Sequence, residues 1–316
     1  MVAIRKKDKN FRPVGISEVV RRIIAKIVAW EVKLEVKGAT GSRQCAGLPS
    51  ACEAALKGMD ELYQQGKTVI VLDAEGAYNG LNRRNALRAV AKELPDAYQL
   101  ILSFYDNPIR AFYAGKELTI EEGTIQGCAL SSAVYDLGIQ PLAKEMEEEG
   151  IVQVWVCDDL AAAGEPEALR NWFRKLRDKG LEYGYHINKR KSYAIAKETR
   201  NLKIFEKEGV QIAEGARYLG AALGTERFKD EHMKGRLDEI GRKTQKLAQL
   251  AKTSPHSAYY LFSASVKHEL TYLQKIGVKD EEAERLEAQF KKLAESLVGQ
   301  AIVGRNTLEQ VSNQTR

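Results

Sequence analysis

The chain has 316 residues, 44% of them hydrophobic, a net charge of +6 and a mean hydropathy of −0.38, enough apolar content for a sizeable core in a globular protein. No window approaches the roughly 18 uninterrupted apolar residues of a membrane span. Residues 1–10 are charged where a secretory leader is apolar, which predicts an intracellular protein, nuclear or cytoplasmic, with no membrane partner. Cys45, Cys52, Cys128 and Cys157 form no CxxC pair, and His186, His232, His256 and His268 do not cluster with them, so neither a zinc site nor a disulfide framework is indicated.

Residues 2–4 and 11–16 alternate or run apolar around a charged turn, the pattern of a β-hairpin whose loop is the most basic point of the chain. Ile23, Ile24, Ile27, Val28 and Trp30 have the spacing of an amphipathic helix, with Ser17 as its cap and residues 38–47 as its break. Ser50 and Glu53 form an S-x-x-E capping box ahead of Ala54, Ala55, Leu56, Met59, Leu62 and Tyr63, so a second helix is predicted to end near Gly66. Thr68–Leu72 is an apolar, mostly β-branched run, as expected of a strand buried on both faces, and it ends on Asp73.

Helices are predicted over 83–94, stopped by Pro95, and over 97–105; residues 111–121 read as strand, turn and strand. A glycine-bracketed loop at 123–127 precedes a small-residue helix over 129–146. After a hairpin at 153–164, a helix opens at Pro166 and closes just before Gly180. Residues 193–196 and 218–223 read as short strands, and from Phe228 the sequence is charged and helical. There Met233, Leu237, Ile240, Leu247 and Leu250 form one apolar stripe and residues 286–297 another, both expected to face a core.

Charge is unevenly spread. Residues 1–37 carry ten Lys or Arg against four acids, an excess equal to that of the whole chain, and a second basic run spans 189–203. Basic segments on both sides of a central acidic stretch suit a polyanionic partner; two solvated faces have the same composition. The acidic stretch is QVWVCDDLAAAG at 153–164. Adjacent carboxylates repel and are costly to desolvate, so Asp158 and Asp159 at the tip of an apolar hairpin are candidate metal ligands, the bland reading being a solvated turn.

Six blocks stand in order: RPVGISEVVRRIIAK (12–26), VLDAEGAYNGLNR (71–83), EGTIQGCALSSAVYDLGIQPL (122–142), VCDDL (156–160), YGYHINKRKS (183–192) and RYLGAALG (217–224). This series resembles reverse transcriptases, and more narrowly the polymerase domain of non-LTR-type retroelements, over nearly the whole chain. The resemblance implies an α+β fold of right-hand polymerase architecture. Its expected parts are partial fingers at 1–67, an antiparallel-sheet palm at 68–226 with a fingers-returning segment near 84–122, and a helical thumb at 227–316.

The activity so implied is RNA-directed DNA polymerisation. The 3′-hydroxyl of a DNA or RNA primer, paired to an RNA template, attacks the α-phosphorus of a dNTP while two divalent ions about 3.5–4 Å apart stabilise the attacking and leaving oxygens. By resemblance Asp73, Asp158 and Asp159 hold the ions, with the carbonyl of Ala74 as a further ligand. Mg²⁺ is the expected ion, with Mn²⁺ as a substitute, since hard oxygen ligands and substrate phosphates form its usual shell. Tyr78 stands where the family has an aromatic gate against a 2′-hydroxyl. Lys6 and Arg12 match residues that hold the triphosphate. Gln126 and Gly127 match the loop beside the incoming base and sugar, Tyr218, Leu219 and Gly220 the primer side, and Lys191 the lysine that assists pyrophosphate departure. Without the resemblance, Tyr78 reads as a core aromatic and the basic residues as solvated.

Val156 and Cys157 depart from the Tyr-Ala commonest before the aspartates, and Cys128 follows Gly127 where the family often has Asp. The chain is expected to begin within the fingers, with no endonuclease, RNase H, zinc-knuckle or recombinase region in view. A catalytically inactive or domesticated nucleic-acid-binding relative is therefore the alternative. An RNA-dependent RNA polymerase is disfavoured by Tyr78, and the oligomeric state is left open.

Overall fold

A computed structural model describes residues 1–5, 11–41 and 44–298, and the chain divides at Thr225 into two compact units. In the first unit β1 (Val2–Arg5) pairs antiparallel with β2 (Phe11–Val14), followed by α1 (Val19–Glu31), α2 (Lys33–Thr40) and α3 (Ala51–Gln64). Then come β3 (Thr68–Leu72), the short α4 (Ala77–Gly80), α5 (Arg83–Glu93), α6 (Pro95–Tyr105), the hairpin β4 (Ile109–Tyr113) and β5 (Lys116–Ile120), and α7 (Ser131–Glu145). The remainder is β6 (Val152–Val156), β7 (Asp159–Gly164), α8 (Pro166–Tyr183), β8 (Tyr193–Ile195), α9 (Lys203–Glu206), β9 (Gln211–Ile212), β10 (Gly215–Tyr218) and β11 (Ala221–Gly224).

The central sheet has the order β6-β7-β3-β8-β9. Its inner pairs are antiparallel, whereas the two-residue β9 joins the edge in parallel. Strand β3 is buried along its whole length. Ile70, Leu72, Leu160, Ala162 and Ala194 face a core shared with α5 to α8, and the alternate residues Val69 and Val71 are buried as well. A central strand covered on both faces reads as a continuous apolar run because neither of its faces meets water.

Local signals fail at identifiable places. Glu18 and not Ser17 occupies the cap position of α1, and no side chain caps the helix. Helix continues through Gly38 and stops at Gly41, whose φ is +59°. Ser50 adopts a left-handed backbone with φ 53° and makes no capping bond, so the S-x-x-E signature is not used. Helix α8 runs through Gly180 to a left-handed Gly184; a Cβ at 180 would lie 2.7 Å from the Tyr185 carbonyl oxygen, so that glycine serves a close approach. The segment 218–223 is not one strand but parts of two: Leu219 and Gly220, with φ of 49° and 87° as a type I′ turn requires, link Tyr218 at the end of β10 to Ala221 at the start of β11.

The second unit consists of α10 (Glu226–Ala251), α11 (Pro255–Leu261), a π-helical turn at Phe262–Val266, α12 (Lys267–Ile276) and α13 (Asp280–Val298). Leu237, Ile240, Leu247, Val266, Leu273, Leu286 and Leu293 form its core, with Met233 partly buried against them. No described helix is long and apolar enough to cross a membrane.

Candidate functional site

The register of the central sheet sets the site. Leu72 pairs with Leu160 in the β3–β7 ladder, so Asp73 lies one step beyond the last pair, opposite Asp159. In the β6–β7 hairpin Val156 pairs with Asp159, which leaves Cys157 and Asp158 as a two-residue turn. Cys157 has φ 54°, the positive first position of a primed hairpin turn. Three carboxylates from two strand ends therefore share one edge.

Each end is held from outside the sheet. The Asp73 carbonyl accepts from the Asn188 backbone N–H at 2.8 Å, and Asn188 Nδ2 donates to Asp73 Oδ2 at 3.1 Å. The Asp73 N–H donates to Ser192 Oγ at 3.2 Å, and the Glu75 N–H to the His186 carbonyl at 2.7 Å. Ala74, itself buried, bridges to Ile187. At the hairpin, buried Gln44 accepts from the Cys157 N–H at 2.7 Å and donates through Nε2 to the Cys157 carbonyl at 3.1 Å. Backbone groups on both sides of the carboxylates are thus fixed, and one Asp73 carboxylate oxygen is itself held by Asn188.

Electrostatics link the three acids. The Asp159 carboxyl is pushed up to about 6 by burial and then by Asp158 and Asp73, with Arg217 of β10 opposing. Asp159 nevertheless keeps an exposed surface at the start of β7. Below it lies a polar layer. Asp136 of α7 is pushed up to about 7 by burial and then by Asp158, and Cys157 to about 12 by burial and then by Asp136. Tyr135 and Tyr185 are fully buried and raised by the loss of water. Their hydroxyls, with Asp136 Oδ1, have no hydrogen-bond partner among the described residues.

Such a cluster suits a divalent cation. Among the described residues no three His, Cys, Asp or Glu side chains close a cage. Mg²⁺ does not need one: it is usually held by one or two carboxylates together with substrate phosphates and water. Neighbouring carboxylates, of which Asp159 is raised by the other two, match that pattern.

Tyr78, in α4, is half-buried and stacks on Tyr135 with ring centroids 4.6 Å apart at 23°. Its hydroxyl is hydrogen-bonded to the side chains of Ser132 and Cys157, which joins it to the hairpin turn. The Tyr78 carbonyl accepts from the Thr124 N–H at 2.6 Å, anchoring the glycine loop. Further along that loop the Gln126 carbonyl accepts from the Gly15 N–H at 2.7 Å. Gly127 has φ 107°, and a Cβ there would come within 2.5 Å of the Gly15 carbonyl oxygen. The loop thus docks on the exit of β2, with Gln126 Oε1 buried and lacking a hydrogen-bond partner among the described residues.

Tyr218 is buried close to Asp159, and Leu219 with Gly220 forms the turn beyond it. Lys191 ends a short 3₁₀ turn, exposed, with its N–H on the Asn188 carbonyl at 3.0 Å. Arg12 pairs with Ile4 through the β1–β2 backbone; its side chain and all of Lys6 lie outside the described residues. The structure brings together Asp73, Ala74, Asp158, Asp159, Tyr78 and Tyr218, and ties Gln126 and Gly127 to β2. Sequence reasoning gave no role to Asn188, Ser192, Gln44, Arg217, Tyr135, Tyr185 or Asp136. Asn188, Ser192, Tyr185, Arg217, Tyr135 and Asp136 all lie within blocks already singled out; Gln44 carries no local signal.

Residues 4–223 match the family model described as reverse transcriptase (RNA-dependent DNA polymerase). Among solved structures, telomerase from Candida tropicalis in complex with a TWJ fragment of telomeric RNA aligns over 93% of this chain and 54% of its own, with TM-score 0.57 and 12% identity. Apo telomerase from Candida tropicalis aligns over 86% and 55%, with TM-score 0.51 and 11% identity. At these identities the likeness is one of fold, and the chain spans about half the length of the telomerase chains it matches.

Proposed function

The chain belongs to the reverse transcriptase (RNA-dependent DNA polymerase) family, and from that premise we propose that it extends a DNA or RNA primer on an RNA template with dNTPs. The observation that carries this reading is the register placing Asp73 opposite Asp159, with Asp158 beside them in the turn. In the reaction a bond forms between the primer 3′-oxygen and the α-phosphorus. The bond from that phosphorus to the bridging oxygen breaks, pyrophosphate leaves, and the hydroxyl proton passes to solvent.

Asp73, Asp158, Asp159 and the Ala74 carbonyl would hold two Mg²⁺ ions, or Mn²⁺, whose charge stabilises the attacking and leaving oxygens. Asn188, Ser192 and Gln44 orient the backbone that carries these groups. Tyr78, braced by Tyr135 and Cys157, presents its ring to the sugar and excludes a 2′-hydroxyl. Gln126 and Gly127 shape the pocket for base and sugar, and Lys6 and Arg12 take the triphosphate. Lys191 assists the departing pyrophosphate, while Tyr218, Leu219 and Gly220 seat the primer. In this reading residues 1–67 contribute to the fingers, 68–226 form the palm and 227–316 the thumb, and the parent element is of non-LTR type.

Incorporation of dTTP on poly(rA)/oligo(dT) with Mg²⁺ tests the reading. Wild-type activity that disappears in Asp158→Asn is expected. Equal signal from both proteins overturns it, and tight RNA binding without incorporation assigns the chain to a non-catalytic scaffold.

A further inference from the structure

Helix α1 has two apolar faces. One, with Ala25, Val28 and Val32, is buried in the core. The other is exposed and follows a 4-3-4-3-4 spacing: Ile16, just ahead of the helix, then Val20, Ile23, Ile27, Trp30 and Leu34. Exposure along it runs from 53% at Ile23 to 76% at Leu34. Helix α1 ends at its C-cap Val32 (φ −81°, ψ 3°), whose N–H donates to the Val28 carbonyl, and α2 begins at Lys33. Within α1 the stripe is therefore Val20, Ile23, Ile27 and Trp30, with Ile16 ahead of the extended Glu18 and Leu34 beyond the break. Single exposed apolar residues are ordinary, whereas four in a heptad register on one helix, with another exposed apolar residue beyond each end, form an interaction seam.

The borders of the seam carry opposite charge. At 3.6 residues per turn, Lys26 lines one edge of α1 and Glu31 the other. Lys26 and Glu31 are exposed and take part in no ion pair among the described residues. With Val20 and Ile27 at one core position of the heptad and Ile23 and Trp30 at the other, Lys26 falls at the g position and Glu31 at e. In a parallel pair of helices each g position meets the partner's e position five residues on. Two copies of this helix side by side in parallel therefore set Lys26 against Glu31 of the partner subunit, twice by symmetry. Antiparallel pairing sets lysine edge against lysine edge and glutamate edge against glutamate edge.

We infer that this seam is the contact face of a two-fold homodimer, formed by parallel pairing of α1 with α1 of a second copy. Self-complementarity of shape and charge is what an isologous interface demands.

Light-scattering mass measurement of the full chain, at concentrations from about 1 to 100 μM, tests this without reference to polymerase activity. The wild type is expected to reach twice 35.3 kDa. Lys26→Glu or Glu31→Lys alone creates two like-charge contacts and should weaken association about tenfold or more. The double variant, and an equimolar mixture of the two single variants, should restore it, because each recreates opposite pairs. Ile27→Asp should yield the single-chain mass with an unchanged circular-dichroism spectrum, as expected for an exposed position. A wild type that stays at 35.3 kDa throughout overturns the inference. So does a dimer indifferent to Ile27→Asp, which must use another surface, or a dimer broken by both single reversals and not rescued by combining them.

Discussion

In the helical unit, Arg236 donates to Glu239 and Glu269, Lys243 donates to Glu269, and Arg285 donates to Asp238, so charge of one sign is met locally by the other. At the end of the central sheet, Asp73, Asp158 and Asp159 crowd one another, and the cation opposing them at Asp159 is Arg217. The first arrangement is complete as it stands and fits a structural role. Among the described residues the second gathers negative charge beside buried hydroxyls without hydrogen-bond partners, which folding alone does not favour. Local imbalance of charge therefore separates the two units more clearly than composition, since both are charged and both have apolar cores.

If the sheet-end acids are held in place for catalysis, loosening one without removing it should cost activity more than stability. Asn188→Ala deletes the 3.1 Å side-chain bond to Asp73 and keeps the carboxylate. Incorporation is expected to fall about 10- to 100-fold, as for other groups that orient metal ligands, with only a small change in melting temperature. Unchanged incorporation would mean that the backbone bonds to Asp73 suffice. Gln44→Ala should act on both properties. It strips the Cys157 N–H and carbonyl of their partners in a buried setting, for about 2 kcal/mol of stability, because unpaired buried polar groups pay the full desolvation cost. Chemical denaturation measures the loss, and an unaltered midpoint would show that water replaces the glutamine.

The gathered charge also predicts a pH dependence. Asp136 faces Asp158, Tyr135, Tyr78 and Cys157, and its folded carboxyl sits at about 7 against an ordinary 3.8. Below about pH 4 it is protonated in both folded and unfolded chains and costs nothing; the folded state then loses stability as pH rises toward 7 and stays penalised above. Asp136→Asn, neutral at every pH, should leave the melting temperature near its wild-type value at pH 4. At pH 8 in EDTA it should raise stability, on the order of 1–2 kcal/mol. The same shift at both pH values would show that Asp136 is not a buried acid beneath the site.

Strand β3 was legible because burial on both faces leaves no polar position to blur the pattern, and the β6–β7 hairpin because apolar strands flank its two acids. The capping box at Ser50 misled, and the turn at Leu219 and Gly220 between two strands was missed within 218–223, because such short signatures fit more than one backbone. Gln44 was invisible for a different reason. Its partner is Cys157, far along the chain, and a pair of long-range hydrogen bonds leaves no periodicity in a sequence. Asp136 and Tyr185 resemble ordinary helix and loop residues until the fold puts them under the acids.

The smallest effect is expected where charge is already balanced. Glu269 accepts from Arg236 at 3.2 Å and from Lys243 at 2.6 Å, and its side chain is about one quarter exposed. Glu269→Gln keeps the shape and an acceptor oxygen but removes the negative charge both cations share. Partly exposed ion pairs are worth little after screening and side-chain entropy, so the loss should stay under about 1 kcal/mol and shrink further in salt. Incorporation should not change, because Glu269 belongs to the helical unit's own charge network. A substitution here that cut activity as deeply as Asn188→Ala would erase the distinction between the units and give the paired charges of the helices a part in the reaction.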